Sequence, residues 1–303
     1  MGGVAVIGSI NPEIITGPVR EIPAWGTEIT SHHTEIVYAG STARVAFPLR
    51  CLEHEVAVFG VVGDDAFGAQ CLSELREWGI NVDGVEEIKG ERTCSCIAIV
   101  REDAERLLIT DAKILCKSDD GYLQRQFRQL SRFDFVLLTG LFEMEGLTMS
   151  GVRTVFSALR KQGVTTLLDT GWHLAGWTEA ALEGFYPLLQ ETDFVLPNLA
   201  EIMKMTGAEG NPEALMRALQ YKGANDIYLK LGHRGAACLV RDEFFSVDAI
   251  PIVPMNTTAA GECFNAGVLH GLVLGMASSE VLDFANRLSA HYVATGSYRL
   301  TGE

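Results

Sequence analysis

The stretch NTTAAGECFNAG, residues 256–267, sets small residues directly before an acid, Glu262. Apolar residues at helical spacing follow: Phe264, Val268, Leu269 and Leu272. A loop of small residues running into a helix start suits an anion. Backbone N–H groups can approach it closely, and the helix dipole favours negative charge there. Glu262 is itself negative and stands in that same first turn. Two roles are open to it: it caps the helix, or it does chemistry on whatever the anion carries. Competing patterns are missing. No G-x-x-x-x-G-K-[ST] occurs, and Gly8-Ser9-Ile10-Asn11 lacks the G-x-G-x-x-G of a dinucleotide site. Neither H-E-x-x-H nor G-x-S-x-G is present. The adjacent His32 and His33 would point to opposite faces of a strand and read as surface or lid residues. Cys94 and Cys96 could suggest a metal or simply share one strand face, and no second Cys/His pair has zinc-site spacing.

A scaffold must hold that loop. Val4-Ala5-Val6-Ile7-Gly8 reads as a buried strand, and Leu52 to Val62 as a second. Residues 65–79 carry Phe67, Leu72, Leu75 and Trp78 near helical spacing. Residues 93–100 and 106–110 form a hairpin around the polar turn 101–104. Farther on, strands at 133–138, 164–168, 194–196 and 227–231 alternate with helices at 146–161, 179–190, 199–205 and 212–221. A second hairpin lies within 236–250, and helices over 262–275 and 279–294 close the chain. This alternation predicts an α/β three-layer sandwich, a mostly parallel central sheet flanked by helices. Residues 1–303 read as a single domain, with a small β-sheet lid formed by roughly 11–38 and 91–110.

The chain has 303 residues, 48% of them apolar, and a net charge of −15 with the acids scattered. That disfavours non-specific binding to nucleic acid or an anionic membrane. It leaves room for an anionic substrate, since a local cluster of N–H donors overrides the mean field. Seven cysteines, an odd number without dense spacing, argue for reduced thiols and a cytoplasmic protein. The opening segment has no basic n-region or cleavage site, and no apolar run approaches the roughly 20 residues of a membrane span.

The segment Thr257-Thr258-Ala259-Ala260-Gly261-x-x-Phe264-Asn265 resembles the C-terminal signature of the ribokinase-like (PfkB) carbohydrate kinases, D-T-x-[GA]-A-G-D-x-F. Further matches follow in family order. Asn11-x-Glu13 is similar to the family's sugar-binding N-x-D, and Ala39-Gly40-Ser41-x-x-Arg44 to its G-G-x-x-x-N. Gly60-Val61-Val62-Gly63-Asp64-Asp65-x-Phe67-Gly68 resembles the next block. Asn198-x-x-Glu201, Gly232-x-x-Gly235 and the helix around Asn286 resemble the nucleotide half. The resemblance implies ATP-dependent phosphorylation of a sugar or sugar-like hydroxyl. Glu262 would be the general base and the N–H groups of Ala259, Ala260 and Gly261 an anion hole. Asn11, Glu13, Gly40, Ser41 and Arg44 would meet the substrate. Asn198, Glu201, Lys230, Gly232, Gly235 and Asn286 would meet ATP, with Glu201 organising Mg2+ through water. A homodimer through the lid follows by the same analogy.

Five departures qualify this reading. Glu262 replaces the usual aspartate, which keeps the carboxylate but changes its reach, and misplacement by about 1 Å can cost roughly 100-fold. Asn256 replaces an aspartate that supplies charge near a monovalent cation, so potassium activation is in doubt. Glu13 and Ala39 replace aspartate and glycine, and Arg44 replaces asparagine. Arg44 would select an acidic substrate such as a sugar acid, pair internally with Glu13, or face solvent. Lys230 would touch a phosphate of ATP or lie on the surface at a strand end. The alternatives to an active sugar kinase are a catalytically impaired kinase-like binding or regulatory protein, and a nucleoside kinase of the same fold.

Overall fold

The computed structural model describes residues 3–22, 24–102, 105–173, 176–255 and 257–300. A nine-stranded sheet is built on β1 (Val4–Ile7), β4 (Val56–Gly63), β5 (Asn81–Ile88), β8 (Phe135–Thr139), β9 (Thr165–Asp169), β10 (Phe194–Val195), β11 (Asp226–Lys230), β12 (Ala236–Val240) and β13 (Glu243–Val247). Its spatial order is β13-β12-β11-β10-β9-β8-β1-β4-β5. All neighbours from β11 to β5 run parallel, and the hairpin β12–β13 adds two antiparallel strands at one edge. The inner strands are apolar on both faces because helices cover both. In β1 the side chains alternate: Ala5 and Ile7 enter one core, Val4 and Val6 the other.

One face carries α1 (Gly40–Cys51), α2 (Ala66–Glu77), α8 (Ala260–Val273) and α9 (Ser278–Thr295). The other carries α3 (Asp120–Leu130), α4 (Met149–Lys161), α5 (Glu179–Leu189), α6 (Leu199–Thr206) and α7 (Pro212–Tyr221). These are the three expected layers. A separate four-stranded sheet, ordered β3-β2-β6-β7, joins β2 (Pro12–Val19), β3 (His33–Tyr38), β6 (Ser95–Arg101) and β7 (Arg106–Asp111). The two β-rich pieces of the sequence do pair, through β2 and β6.

The sequence reading places a strand over 52–62, whereas the strand begins at Val56, after α1 and a short turn. It gives no helix at 40–51 and no strand at 81–88. Helix α1 is buried at nine of its positions and contains Pro48, so it shows neither an amphipathic period nor good propensity. Strand β5 contains Gly84 and three acids. A Cβ at Gly84 would come within 2.2 Å of the Phe59 ring, so the glycine allows the close packing of β5 on β4.

Candidate active site

The sheet's topology chooses the place. From β1 the chain builds outward one way through β4 and β5 and the other way through β8 to β11, so the order reverses beside β1. In open α/β sheets ligands bind outside the carboxyl ends of the strands at such a reversal. Strand β8 ends at Thr139, β9 at Asp169 and β11 at Lys230, while Asn198 follows β10 and bridges to Lys230. Ser9 and Asn11 follow β1.

Two cavities lie there. One, of about 390 Å3, is lined by Asn198, Glu201, Lys230, Gly232, Gly235 and Asn286, together with Ala260 and Gly261. The other, of about 500 Å3, is lined by Asn11, Glu13, Gly40 and Arg44, with Ala259 at its wall. Ser41, Arg106, Glu143 and Glu262 line both. All the residues expected to meet ATP thus fall on one side of Glu262. Those expected to meet the substrate fall on the other or, for Ser41, on both.

Between the cavities stands the start of α8. Ala259 precedes the helix in the left-handed region, φ 68°, and no side chain caps it. The N–H of Ala260 makes a long bond to the Thr257 carbonyl, 3.4 Å, and the first sound helical bond is Cys263 N–H to Ala259, 2.8 Å. The N–H groups of Ala259 and Gly261 have no acceptor among the described residues. Such a turn is ready to bind an anion. The Glu262 carboxylate also lacks a hydrogen-bond partner among the described side chains. Burial pushes its pKa above the usual carboxylate range, Arg44 pulls against this, and Asp169 adds to it. Glu262 borders both cavities, and its carboxylate is within reach of its own backbone N–H. Asn256 lies outside the described residues, and with it the potassium question.

On the first cavity's floor Lys230 Nζ lies 3.0 Å from Asp169 Oδ2 and 3.2 Å from Asn265 Oδ1, and the Asn265 amide donates to the same Asp169 oxygen. Lys230 is thus turned inward and paired, not a surface lysine. Glu201 closes a capping box on α6. Its carboxylate accepts from the Asn198 N–H at 2.9 Å and the Asn198 side-chain amide at 2.7 Å, while Asn198 Oδ1 accepts from the Glu201 N–H. Burial, then Asp169, raises the Glu201 pKa to about 7. Burial, then Glu262, raises that of Glu143 to about 7. Carboxyls held this far up are poised to release protons when a cation arrives. No group of three acids, cysteines or histidines among the described residues is preset for a metal. With its oxygens occupied by Asn198, Glu201 suits Mg2+ through water, as magnesium prefers. Gly235, φ 93°, packs so tightly on β13 that a Cβ would meet the Val247 carbonyl at 2.1 Å, which fixes the turn beside this cavity. Asn286 is anchored by its amide to the Asp248 carbonyl, 3.0 Å.

In the second cavity Arg44 and Glu13 form a two-pronged pair, Nε to Oε1 at 2.7 Å and Nη2 to Oε2 at 2.6 Å. Arg44 is only 3% exposed, so the solvent-facing alternative is wrong. Burial pulls its pKa down, but the hydrogen bonds and charge of Glu13 outweigh this and hold it well above its ordinary value. The edge that would grip a substrate carboxylate is occupied by Glu13, and Nη1 turns to the Tyr292 hydroxyl at 3.4 Å. The carboxylate and the guanidinium neutralise each other. Gly40, φ 75°, is needed because a Cβ would meet the Ser9 carbonyl at 2.5 Å. Cys94 and Cys96 are buried free thiols at the wall of this cavity.

Sequence reasoning misses Asp169, Asn265, Glu143 and Arg106. A signal for Asp169 exists: it ends a strand in an alternating pattern, where such folds put their ligands. Arg106 gives none, since it belongs to the other sheet.

Comparison with known proteins agrees with this fold. The family model for pfkB family carbohydrate kinases matches residues 1–300. The chain belongs to that family of sugar kinases. A deoxyribokinase of Salmonella typhi is 27% identical over 278 residues, 88% of this chain and 84% of that protein. A ribokinase of Schizosaccharomyces pombe is 24% identical, covering 96% of this chain and 91% of its own. Among solved structures, Arabidopsis thaliana ribokinase complexed with ribose and ATP superposes with a TM-score of 0.79 at 23% identity, over 99% of this chain and 94% of its own. A ribokinase II candidate of E. coli, solved with ATP and Mg2+, has a TM-score of 0.81 at 19% identity over 99% and 95%. At those identities the structural likeness speaks for the fold.

Proposed function

We propose that the protein transfers the γ-phosphoryl group of Mg·ATP to a hydroxyl of a neutral sugar or a sugar-like alcohol. The observation that carries this is the meeting of two cavities at Glu262, beneath an uncapped helix start. ATP and Mg2+ occupy the side of Asn198, Glu201, Lys230, Gly232, Gly235 and Asn286. Glu143, Asp169, Glu201 and Glu262 line this cavity, and a divalent ion bound among them would offset the charge of the phosphates. The substrate lies against Asn11, Gly40, Ser41 and the Arg44–Glu13 pair. Glu262 removes the hydroxyl proton, a step worth about 100- to 10,000-fold. The free N–H groups of Ala259 and Gly261, with Ala260, stabilise charge on the moving group, each worth roughly 100- to 1000-fold. Burial raises the Glu262 pKa, which makes its carboxylate a stronger base than an exposed one.

The Arg44–Glu13 pair makes a neutral substrate the better choice than a sugar acid. The substrate cavity also has an apolar wall of Leu108, Leu115 and the half-exposed Trp172, on which a nucleoside base would fit. ADP release on 2-deoxyribose, ribose, fructose, sugar acids and nucleosides tests both readings. We expect turnover on a neutral sugar. Turnover on nucleosides alone would replace the substrate, and absence of turnover on every member would leave a binding protein.

The small sheet covers the substrate cavity through Leu108 and Thr110 and acts as its lid, as part of one domain with the main sheet. On the lid's outer face Ile36, Ile14, Ile97 and Ile109 align across all four strands, and Ile36, Ile97 and Ile109 are exposed. A second copy of the chain would cover this row, and light scattering of an Ile97→Lys variant would read a monomer against a dimer.

A further inference from the structure

We propose that Arg106 is a catalytic residue: the small sheet carries it to the junction of the two cavities, where it binds the phosphoryl group during transfer. This rests on the kinase reading above. Arg106 opens strand β7, yet it lines the nucleotide-side and the substrate-side cavity alike. Its Nη1 donates to Thr258 Oγ1 at 2.6 Å. Thr258 immediately precedes Ala259, so the guanidinium already reaches the loop that supplies the free N–H groups of α8.

Charge makes the case. The junction is acidic, and a triphosphate adds several negative charges to it. Two other cations border it, and both are neutralised within the protein: Arg44 by Glu13 and Lys230 by Asp169. Arg106 has no carboxylate partner among the described residues and bonds only to a neutral hydroxyl. Its charge is therefore available to a ligand. A guanidinium presents paired donors that match phosphate oxygens and keeps its charge at every working pH. The strand that carries it also presents Leu108 and Thr110 to the substrate cavity. Substrate and phosphoryl group thus grip the same strand, which ties assembly of the catalytic charge to presence of the acceptor and limits loss of ATP to water.

Calorimetric titration with Mg·ADP and Mg·AMP-PNP separates this role from a structural one. Both are expected to bind the wild-type protein. In Arg106→Gln we expect AMP-PNP to bind at least about tenfold more weakly and ADP within about twofold of wild type, with turnover down by roughly 1000-fold. Arg106→Lys, which keeps the charge but not the fork, should fall between. Equal affinities of wild type and Arg106→Gln for AMP-PNP would overturn the proposal, as would equal weakening of both nucleotides. Failure of the wild-type protein to bind either would overturn the kinase reading first and the Arg106 role with it.

Discussion

Helices α6 and α8 both start at the carboxyl edge of the main sheet, and their first turns are finished differently. Asn198 and Glu201 close α6 on itself, each accepting from the other's backbone. Asp65, Asp119, Thr148, Thr178 and Asn211 cap α2, α3, α4, α5 and α7. Even α1, which has no capping side chain of its own, gives the N–H groups of Ser41 and Thr42 to Ser9. Among the described residues α8 alone of these helices has neither a side-chain cap nor an outside acceptor for the N–H groups of its second and third residues, and it follows an alanine in a left-handed conformation that costs roughly 1–2 kcal/mol. An uncapped helix start beside a cavity, among helices whose starts are capped, is a place where an anion can complete the hydrogen bonding.

The sharpest way to break this comparison is Glu262→Gln. If the acid is the base, turnover falls about 100- to 10,000-fold and the melting temperature holds. If it serves the helix, stability falls and turnover survives. Next in size is Arg44→Met, which leaves Glu13 buried and alone beside α1. Urea denaturation should show a loss of about 3–5 kcal/mol, largely restored when Glu13→Gln is added. Third is Glu143→Gln. Its carboxyl sits at about 7 in the fold against an ordinary 4.5, so the stability it contributes is present below pH 4.5 and lost as the pH rises through 7. Removing it should therefore stabilise the ligand-free protein at about pH 8 by roughly 2–3 kcal/mol and do little near pH 4. Thermal melts at the two pH values read this directly. Smallest is Asn198→Ala, which opens the α6 box and should cost about 1 kcal/mol, read in the same melts.

Much of this arrangement is legible in the chain itself where residues act as contiguous runs. The 257–265 segment, Asn198-x-x-Glu201 and Gly232-x-x-Gly235 each hold their geometry within one turn, so their spacing carries the information. The parallel sheet is legible because buried strands and amphipathic helices alternate beyond residue 130. Elsewhere the information is not local. Arg44 and Glu13 are 31 residues apart, and only packing decides that they meet. Asp169 and Asn265 are 96 apart, and a lone acid at a strand end looks like any other. Helix α1 escapes because burial on all sides erases the periodicity that would reveal it, and β5 because its glycine and acids read as a turn.

The buried Glu13–Arg44 couple also ties the two positions to each other. Reverting to the Asp and Asn of the family pattern one substitution at a time passes through an intermediate that strands a charge or shortens its reach in the interior. A design that reshapes this wall of the cavity therefore has to exchange the two residues as a pair.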